Sequence, residues 1–194
     1  MKTLVSSLWT LVVCTALLGF GYPVAVTALA QMWFPFQAGG SLVGPAGAPV
    51  ASSLIGQDWP SSQWFQGRPS ATAGQPYNPQ ASGGSNLSPQ GTALADRRSA
   101  SAAAWKALAS AAGQSEPVPD ALLSASGSGL DPDLDLAAAL WQVPLVAHAR
   151  NWDPGRLEAL VRSQVSATGW PWDPPASVNV VGLNRALAQG QEKS

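Results

Sequence analysis

The chain has 194 residues, 46% of them apolar and only 11% charged, with a formal net charge of −1. That length suits one ordinary domain plus a small extra element, and the apolar content supports a packed core in place of a disordered chain. Soluble domains carry roughly 25% charged residues, and binding phosphate needs a basic surface, so the composition argues against nucleic acid as a partner.

The N-terminal stretch MKTLVSSLWTLVVCTALLGFGYPVAVTALAQMWFPF is nearly free of charge. After Lys2 the next ionisable residue, other than Cys14 and Tyr22, is Asp58. About 20 residues at 1.5 Å each cross a bilayer core of about 30 Å, and the apolar run from Leu8 to Ala30 is that long. Two readings fit. One is a secretory signal, with Lys2 as its basic end, Leu8 to Phe20 as its apolar core and Ala28-Leu29-Ala30 as a cleavage site, which would release a secreted binding protein or enzyme after Ala30.

The other is a retained transmembrane helix over about residues 8–30, within an anchor of residues 1–36. Retention is favoured by the length of the apolar run, by Pro23 in mid-segment, and by Trp33, Phe34 and Phe36 at the interface. Lys2 is the only charge on the short side, which places the N-terminus in the cytoplasm and residues 37–194 outside, as a periplasmic soluble domain. Cys14, the single cysteine, permits no intramolecular disulfide and no cysteine-based metal site, and reads as a small apolar filler.

Within residues 37–57, two short apolar runs, Ser41 to Val43 and Val50 to Ile55, flank a Gly/Pro turn and predict a β-hairpin. PYNPQASGGSNL, residues 76–87, has no charge, two Pro, adjacent Gly and many amides and hydroxyls, the composition of a linker. A helix follows from about Ala93 to Ala112, capped by Thr92 and ended by Gly113. EPVPDALLSASGSGLDP predicts a short strand entering a turn. A second helix is expected from about Leu134 to Ala149, with Asp133 or Asp135 as its cap and Arg150 near its C-terminal dipole.

Asp153-Pro154 opens a third helix, with Glu158 and Arg162 paired at i,i+4 and Leu157, Leu160, Val161 and Val165 buried. Val178 to Val181 alternates as a strand, and the segment after it ends as a helical turn. The fold class is α+β: one N-terminal transmembrane helix followed by a domain of about three helices and a small sheet.

No catalytic constellation is visible. Ser128 in ASGSGLD lacks the first Gly of a nucleophile elbow, since Ser126 stands there. His148, the lone histidine, reads as a surface group near a helix end. Asp131, Asp133 and Asp135 begin like a calcium loop but meet Leu136 at the glycine position and Gln142 at the twelfth, so helix capping explains them better. No phosphate-binding loop precedes Lys2, Lys106 or Lys193. GGSN offers backbone N–H groups to an anion but reads more simply as a loop. Neither a catalytic residue nor a metal site is expected.

Several strings decide more than these patterns do. GYPVAVTALAQMWFPFQAGGSLV, SLIGQDW, WFQGRPSATA, PYNPQASGGSNL, SASGSGLDPDL, AAALWQVPLVAHAR and VNVVGLNRAL occur in this order. Together they closely resemble the C subunit of the bacterial Kdp-type potassium-transporting P-type ATPase, over about Gly19 to Leu187. The resemblance implies an inner-membrane complex of a channel-like potassium-translocating subunit, a P-type ATPase subunit, this single-span subunit and a small single-helix subunit.

It also implies an accessory role without catalysis: assembling and stabilising the complex and, as the family is described, acting as a catalytic chaperone that raises the ATP affinity of the ATPase subunit. The chain would hold no cofactor of its own; ATP association is implied by that description only, and potassium is the substrate of the complex. The matched motifs make Arg68, Ser70, Tyr77, Asn78, Ser85, Asn86 and Gln142 the candidates for partner or nucleotide contact. Two positions depart from the family pattern: Gln66, where a His is common, and Leu145, where a basic residue is common. Both weaken the case for essential ion or proton chemistry at those side chains.

Overall fold

The computed structural model describes residues 1–44, 51–166 and 175–191. The chain divides into two compact units, Met1–Ser52 and Ser53–Ser194.

In the first unit the apolar N-terminus is helical from Lys2 to Trp33, 32 residues, long and apolar enough to cross a bilayer. It consists of α1 (Lys2–Ala16), a π-helical turn (Leu17–Gly21) and α2 (Tyr22–Trp33). The π-turn lies directly before Pro23, where the regular ladder loses a donor. A short α3 (Pro35–Ala38) follows the aromatic residues. The expected hairpin is present but minimal, with β1 (Leu42–Val43) antiparallel to β2 (Ala51–Ser52) and Val43 opposite Ala51. Its turn lies outside the described residues.

The second unit builds its core from α4 (Thr92–Ala111), α5 (Leu136–Trp141), α6 (Val143–Arg150), α7 (Pro154–Ser163) and α8 (Val180–Gln191). They pack on an antiparallel sheet of β3 (Asp133–Asp135), β5 (Ser177–Asn179) and β4 (Val165–Ser166), with β5 in the centre. Leu134 and Val178 face each other across the β3–β5 pair, and both are fully buried with Phe65, Leu122, Leu157, Leu183 and Leu187. Burying such side chains stabilises the unit by roughly 1.5–3 kcal/mol each before entropic losses.

Four sequence expectations are corrected here. The single helix expected over 134–149 is two. Pro144 cannot donate to a carbonyl one turn back, so the chain resets at Gln142 and Pro144 sits in the first turn of α6. Thr92 does not cap α4: it is the first helical residue, Gly91 is the N-cap and no side chain caps the helix. The strand expected in EPVPDALLS is a 3₁₀ turn, Asp120–Leu122, because Pro117 and Pro119 cannot donate to a sheet ladder. The strand expected over Val178 to Val181 is Ser177–Asn179; Val180 and Val181 instead open the 12-residue α8, longer than the helical turn expected after the strand.

Other expectations hold. Asp153 Oδ2 caps α7 by accepting from the Arg156 N–H at 2.8 Å, and Pro154 takes the first position. Arg162 pairs with Glu158 at 2.7 Å. Leu157 and Val161 are buried and Leu160 is half-buried, whereas Val165 has left the helix for β4. Gly113, at φ +71°, follows α4 as its expected stop.

Candidate functional site

Residues 59–70, WPSSQWFQGRPS, cross the second unit without regular structure, and the positions of their backbone groups are set by two buried carboxamides. Gln142, between α5 and α6, and Asn184, on α8, are each 1% exposed. Asn184 Oδ1 accepts from the Phe65 N–H at 3.0 Å, and its Nδ2 donates to the Phe65 carbonyl at 2.9 Å. Gln142 repeats this one residue on: Oε1 accepts from the Gln66 N–H at 2.8 Å and Nε2 donates to the Gln66 carbonyl at 3.0 Å.

A buried peptide group without a partner costs about 1–3 kcal/mol, so these amides replace the ladder that a strand would have supplied. Phe65, wholly buried, fastens the same strap from its side chain. The Gln66 side chain reaches back: its Nε2 lies 2.9, 3.1 and 3.3 Å from the carbonyls of Trp59, Ser61 and Trp64. It thereby folds residues 59–64 into one wall of a cleft. The cleft has a volume of about 430 Å³, with Trp59, Trp64, Trp105, Leu108 and Leu145 among its walls. None of its lining residues is charged, and Gln66 and Leu145 both border it.

Beyond the strap, two Ser/Gly loops dock on each other. The Gly83 N–H donates to the Ser128 carbonyl at 2.8 Å, Ser82 Oγ to the same carbonyl at 3.1 Å, and the Ser126 N–H to the Pro69 carbonyl at 3.2 Å. Ser70 is central: Oγ donates to the Gly129 carbonyl at 2.8 Å and accepts from the Tyr77 N–H at 2.9 Å. Tyr77 Oη donates to the Arg68 carbonyl at 2.6 Å, and Arg68 Nη1 meets Asp131 Oδ2 at 3.3 Å. That ion pair is about one-third exposed, so it contributes little, roughly 0–1 kcal/mol.

Asn78 closes a local turn, accepting from the Gln80 N–H at 3.1 Å and donating to the Ala73 carbonyl at 3.0 Å. Two glycines are obligatory for the close approach. A Cβ on Gly56 would lie 2.5 Å from Tyr77 Cε1, and one on Gly129, already at φ +67°, would lie 2.7 Å from the Gly83 carbonyl oxygen. Burial, reinforced by the carboxylates of Asp58 and Asp131, pushes the Tyr77 phenol up to about 12.

The structure thus brings Arg68, Ser70, Tyr77 and Asn78 together, and connects Gln142 to them through the strap. Ser85 and Asn86 stand apart. Ser85 is half-buried and Asn86 exposed at φ +49°, and their side chains make no hydrogen bond among the described residues. Sequence reasoning passed over Asn184 and the tethering role of Gln66. The signal for Asn184 was an amide on the apolar face of a helix, four residues after Val180 and three before Leu187, where a buried polar group requires a partner. Among the described residues no group of three or more His, Cys, Asp or Glu is placed to hold a metal ion.

The family model described as "K+-transporting ATPase, c chain", KdpC, matches residues 4–189. The chain belongs to the KdpC family. It is 49% identical over 173 residues to the potassium-transporting ATPase KdpC subunit of Variovorax paradoxus (strain S110), covering 89% of each chain. It is 44% identical over 192 residues to that of Burkholderia orbicola (strain MC0-3), covering 98% of each. With that of Escherichia coli (strain SE11) it shares 42% over 187 residues, 96% of this chain and 97% of the relative. Family membership makes the chain an accessory subunit of a potassium-transporting ATPase.

Proposed function

We propose that this chain assembles and stabilises a potassium-transporting ATPase in the bacterial inner membrane without catalysing a step itself. Its N-terminal helix spans the bilayer once, with the N-terminus in the cytoplasm, and residues 37–194 form a soluble domain on the periplasmic side. Its partners are the channel-like subunit, the ATPase subunit and the small single-helix subunit. The observation that carries this reading is the Lys2–Trp33 helix, long and apolar enough to cross a bilayer and without a buried residue, in a chain of this family. Such a helix needs lipid or other helices around it.

The paired loops supply the soluble contact. Ser85 and Asn86 have unspent side-chain hydrogen-bonding capacity at the edge of this network, which suits a protein surface docking there. Arg68, Ser70, Tyr77 and Asn78 hold that edge in shape, and Gln142 supports it from beneath. Raised ATP affinity of the ATPase subunit follows from this reading as coupling through helix packing, a shift between states of the complex with no nucleotide cofactor on this chain. The committed amide of Gln142, with both polar atoms bonded to Gln66, favours coupling over direct nucleotide contact by that side chain.

Purification of the full chain by a C-terminal tag in mild detergent tests the proposal. The expected eluate contains the ATPase and channel-like subunits and hydrolyses ATP in response to potassium. A chain that elutes alone from cells expressing the whole complex contradicts it. Intact mass of the mature protein tests the anchor, since a chain beginning at Gln31 would establish the secreted alternative.

A further inference from the structure

The membrane helix carries a hydrogen-bonding deficit at its centre. The Tyr22 N–H donates to the Leu17 carbonyl. Gly21, directly before α2, is itself helical at φ −59° and ψ −52°, so the regular ladder resumes there and helical spacing gives its carbonyl the Ala25 N–H four residues on. Between those two bonds lie the carbonyls of Leu18, Gly19 and Phe20 and the nitrogens of Pro23 and Val24. Pro23 has no hydrogen to give. One N–H therefore serves three carbonyls.

Side chains of the helix do not make up the difference. Ser7 and Thr10 donate to the carbonyls of Thr3 and Ser6, and no side-chain hydrogen bond reaches Leu18, Gly19 or Phe20 among the described residues. The deficit is also placed where water cannot repair it. The 15 residues of α1 and the 12 of α2 flank the turn, about 22 and 18 Å at 1.5 Å per residue, which sets it near the middle of a hydrocarbon core of about 30 Å. The π-turn is itself a local adjustment to the proline; lipid tails have no hydrogen to donate, and the carbonyls it leaves over are satisfied in this setting by neighbouring helices.

The surface beside these carbonyls is open to such a neighbour. A Cβ added at Gly19 would meet only Thr15 Cγ2 at 3.9 Å, and one at Gly21 would meet the Ala16 carbonyl oxygen at 3.8 Å, both ordinary contacts. Nothing in this chain requires glycine at either position. Their missing side chains serve an approach from outside, as small residues do between membrane helices.

We infer that the Leu17–Gly21 turn is the point where a transmembrane helix of another subunit of the ATPase docks, presenting a hydroxyl or amide donor to the carbonyls of Leu18, Gly19 and Phe20. The inference rests on the reading of the helix as a retained span. A second copy of this chain is a poorer occupant. Inserted in the same direction, it would bring Leu17 to Gly21 to the same depth, and none of those side chains carries a donor.

The test uses the complete complex in native membranes, with a photoreactive benzoyl-phenylalanine replacing Leu18 or Phe20 one at a time, so that both glycines and Pro23 stay intact. A covalent adduct with a transmembrane segment of another subunit is expected from at least one position. Adducts with lipid alone, or with a second copy, overturn the inference. In parallel, the double variant Gly19→Leu, Gly21→Leu is expected to enter the membrane at the normal level yet retain the other subunits at least tenfold less; unchanged retention also overturns it. Failure of the underlying reading shows separately, as an unsubstituted chain that brings down no other subunit.

Discussion

Two irregular stretches of the second unit solve the same problem differently. Both the strap at Phe65–Gln66 and the loop over residues 76–87 must satisfy backbone groups outside any helix or sheet. The strap does so with buried carboxamides from positions far along the chain, Asn184 lying 119 residues from Phe65 and Gln142 lying 76 from Gln66. The loop relies on nearby hydroxyls, a tyrosine and a facing Ser/Gly loop, and stays partly exposed. The strap should therefore be sensitive to loss of a single side chain, and the loop should respond in graded steps.

The largest expected effect is Gln142→Ala. It leaves the N–H and carbonyl of the half-buried Gln66 without their partner and enlarges the cleft, at a cost of about 3 kcal/mol. Thermal unfolding should report it as a loss on the order of 10 °C in Tm. Gln142→Glu separates donor from acceptor: the carboxylate still accepts from the Gln66 N–H but faces the Gln66 carbonyl without a proton. Protonation restores the donor, so this variant should gain stability relative to the parent as pH falls through the raised folded pKa of the carboxyl, with the full gain present below the unfolded value of about 4.3, a trend that a simple packing defect would not show. A Gln142→Ala variant as stable as the parent would erase the contrast between strap and loop.

Next in size is the pH dependence of the loop. Tyr77 ionises near 10 in the unfolded chain and at about 12 in the folded one. Its raised pKa favours the native state fully below pH 10, and this contribution is lost as pH rises through 12. The loss amounts to about 2–3 kcal/mol. Denaturant midpoints measured from pH 9 to 12 should show that decline in the parent, and Tyr77→Phe should remove it while costing about 1 kcal/mol at neutral pH for the lost bond to the Arg68 carbonyl. A parallel decline in both proteins would mean that another group is responsible.

The smallest effect on stability is expected from Ser85→Ala with Asn86→Ala, within about 0.5 kcal/mol, since neither side chain is bonded among the described residues. Retention of partner subunits should nevertheless fall. Unchanged stability, unchanged retention and unchanged potassium transport together would return the tip of the loop to the status of a linker.

What the sequence made legible was local. The Asp153-Pro154 start of α7, the Gly113 stop of α4 and the long apolar helix each follow from a few adjacent residues, and the structure has all three. The π-turn before Pro23 and the tethering of Phe65 by Asn184 were not legible, because each depends on where a backbone group finds its partner. The break at Pro144 was signalled by its own residue type but outweighed by the apolar run around it. PYNPQASGGSNL misled by composition: its glycines and hydroxyls are those of a flexible linker, but Gly83, Ser82 and Tyr77 are engaged with residues of the facing loop and the strap.

In the proposed function the soluble domain lies outside the membrane and influences ATP hydrolysis only through assembly and coupling. Protease accessibility in sealed vesicles tests it most directly. Residues 53–194 should be digested in spheroplasts, where the outer face is exposed, and protected in inverted vesicles. Digestion in inverted vesicles with protection in spheroplasts would place the domain beside the cytoplasmic ATP site and contradict the account.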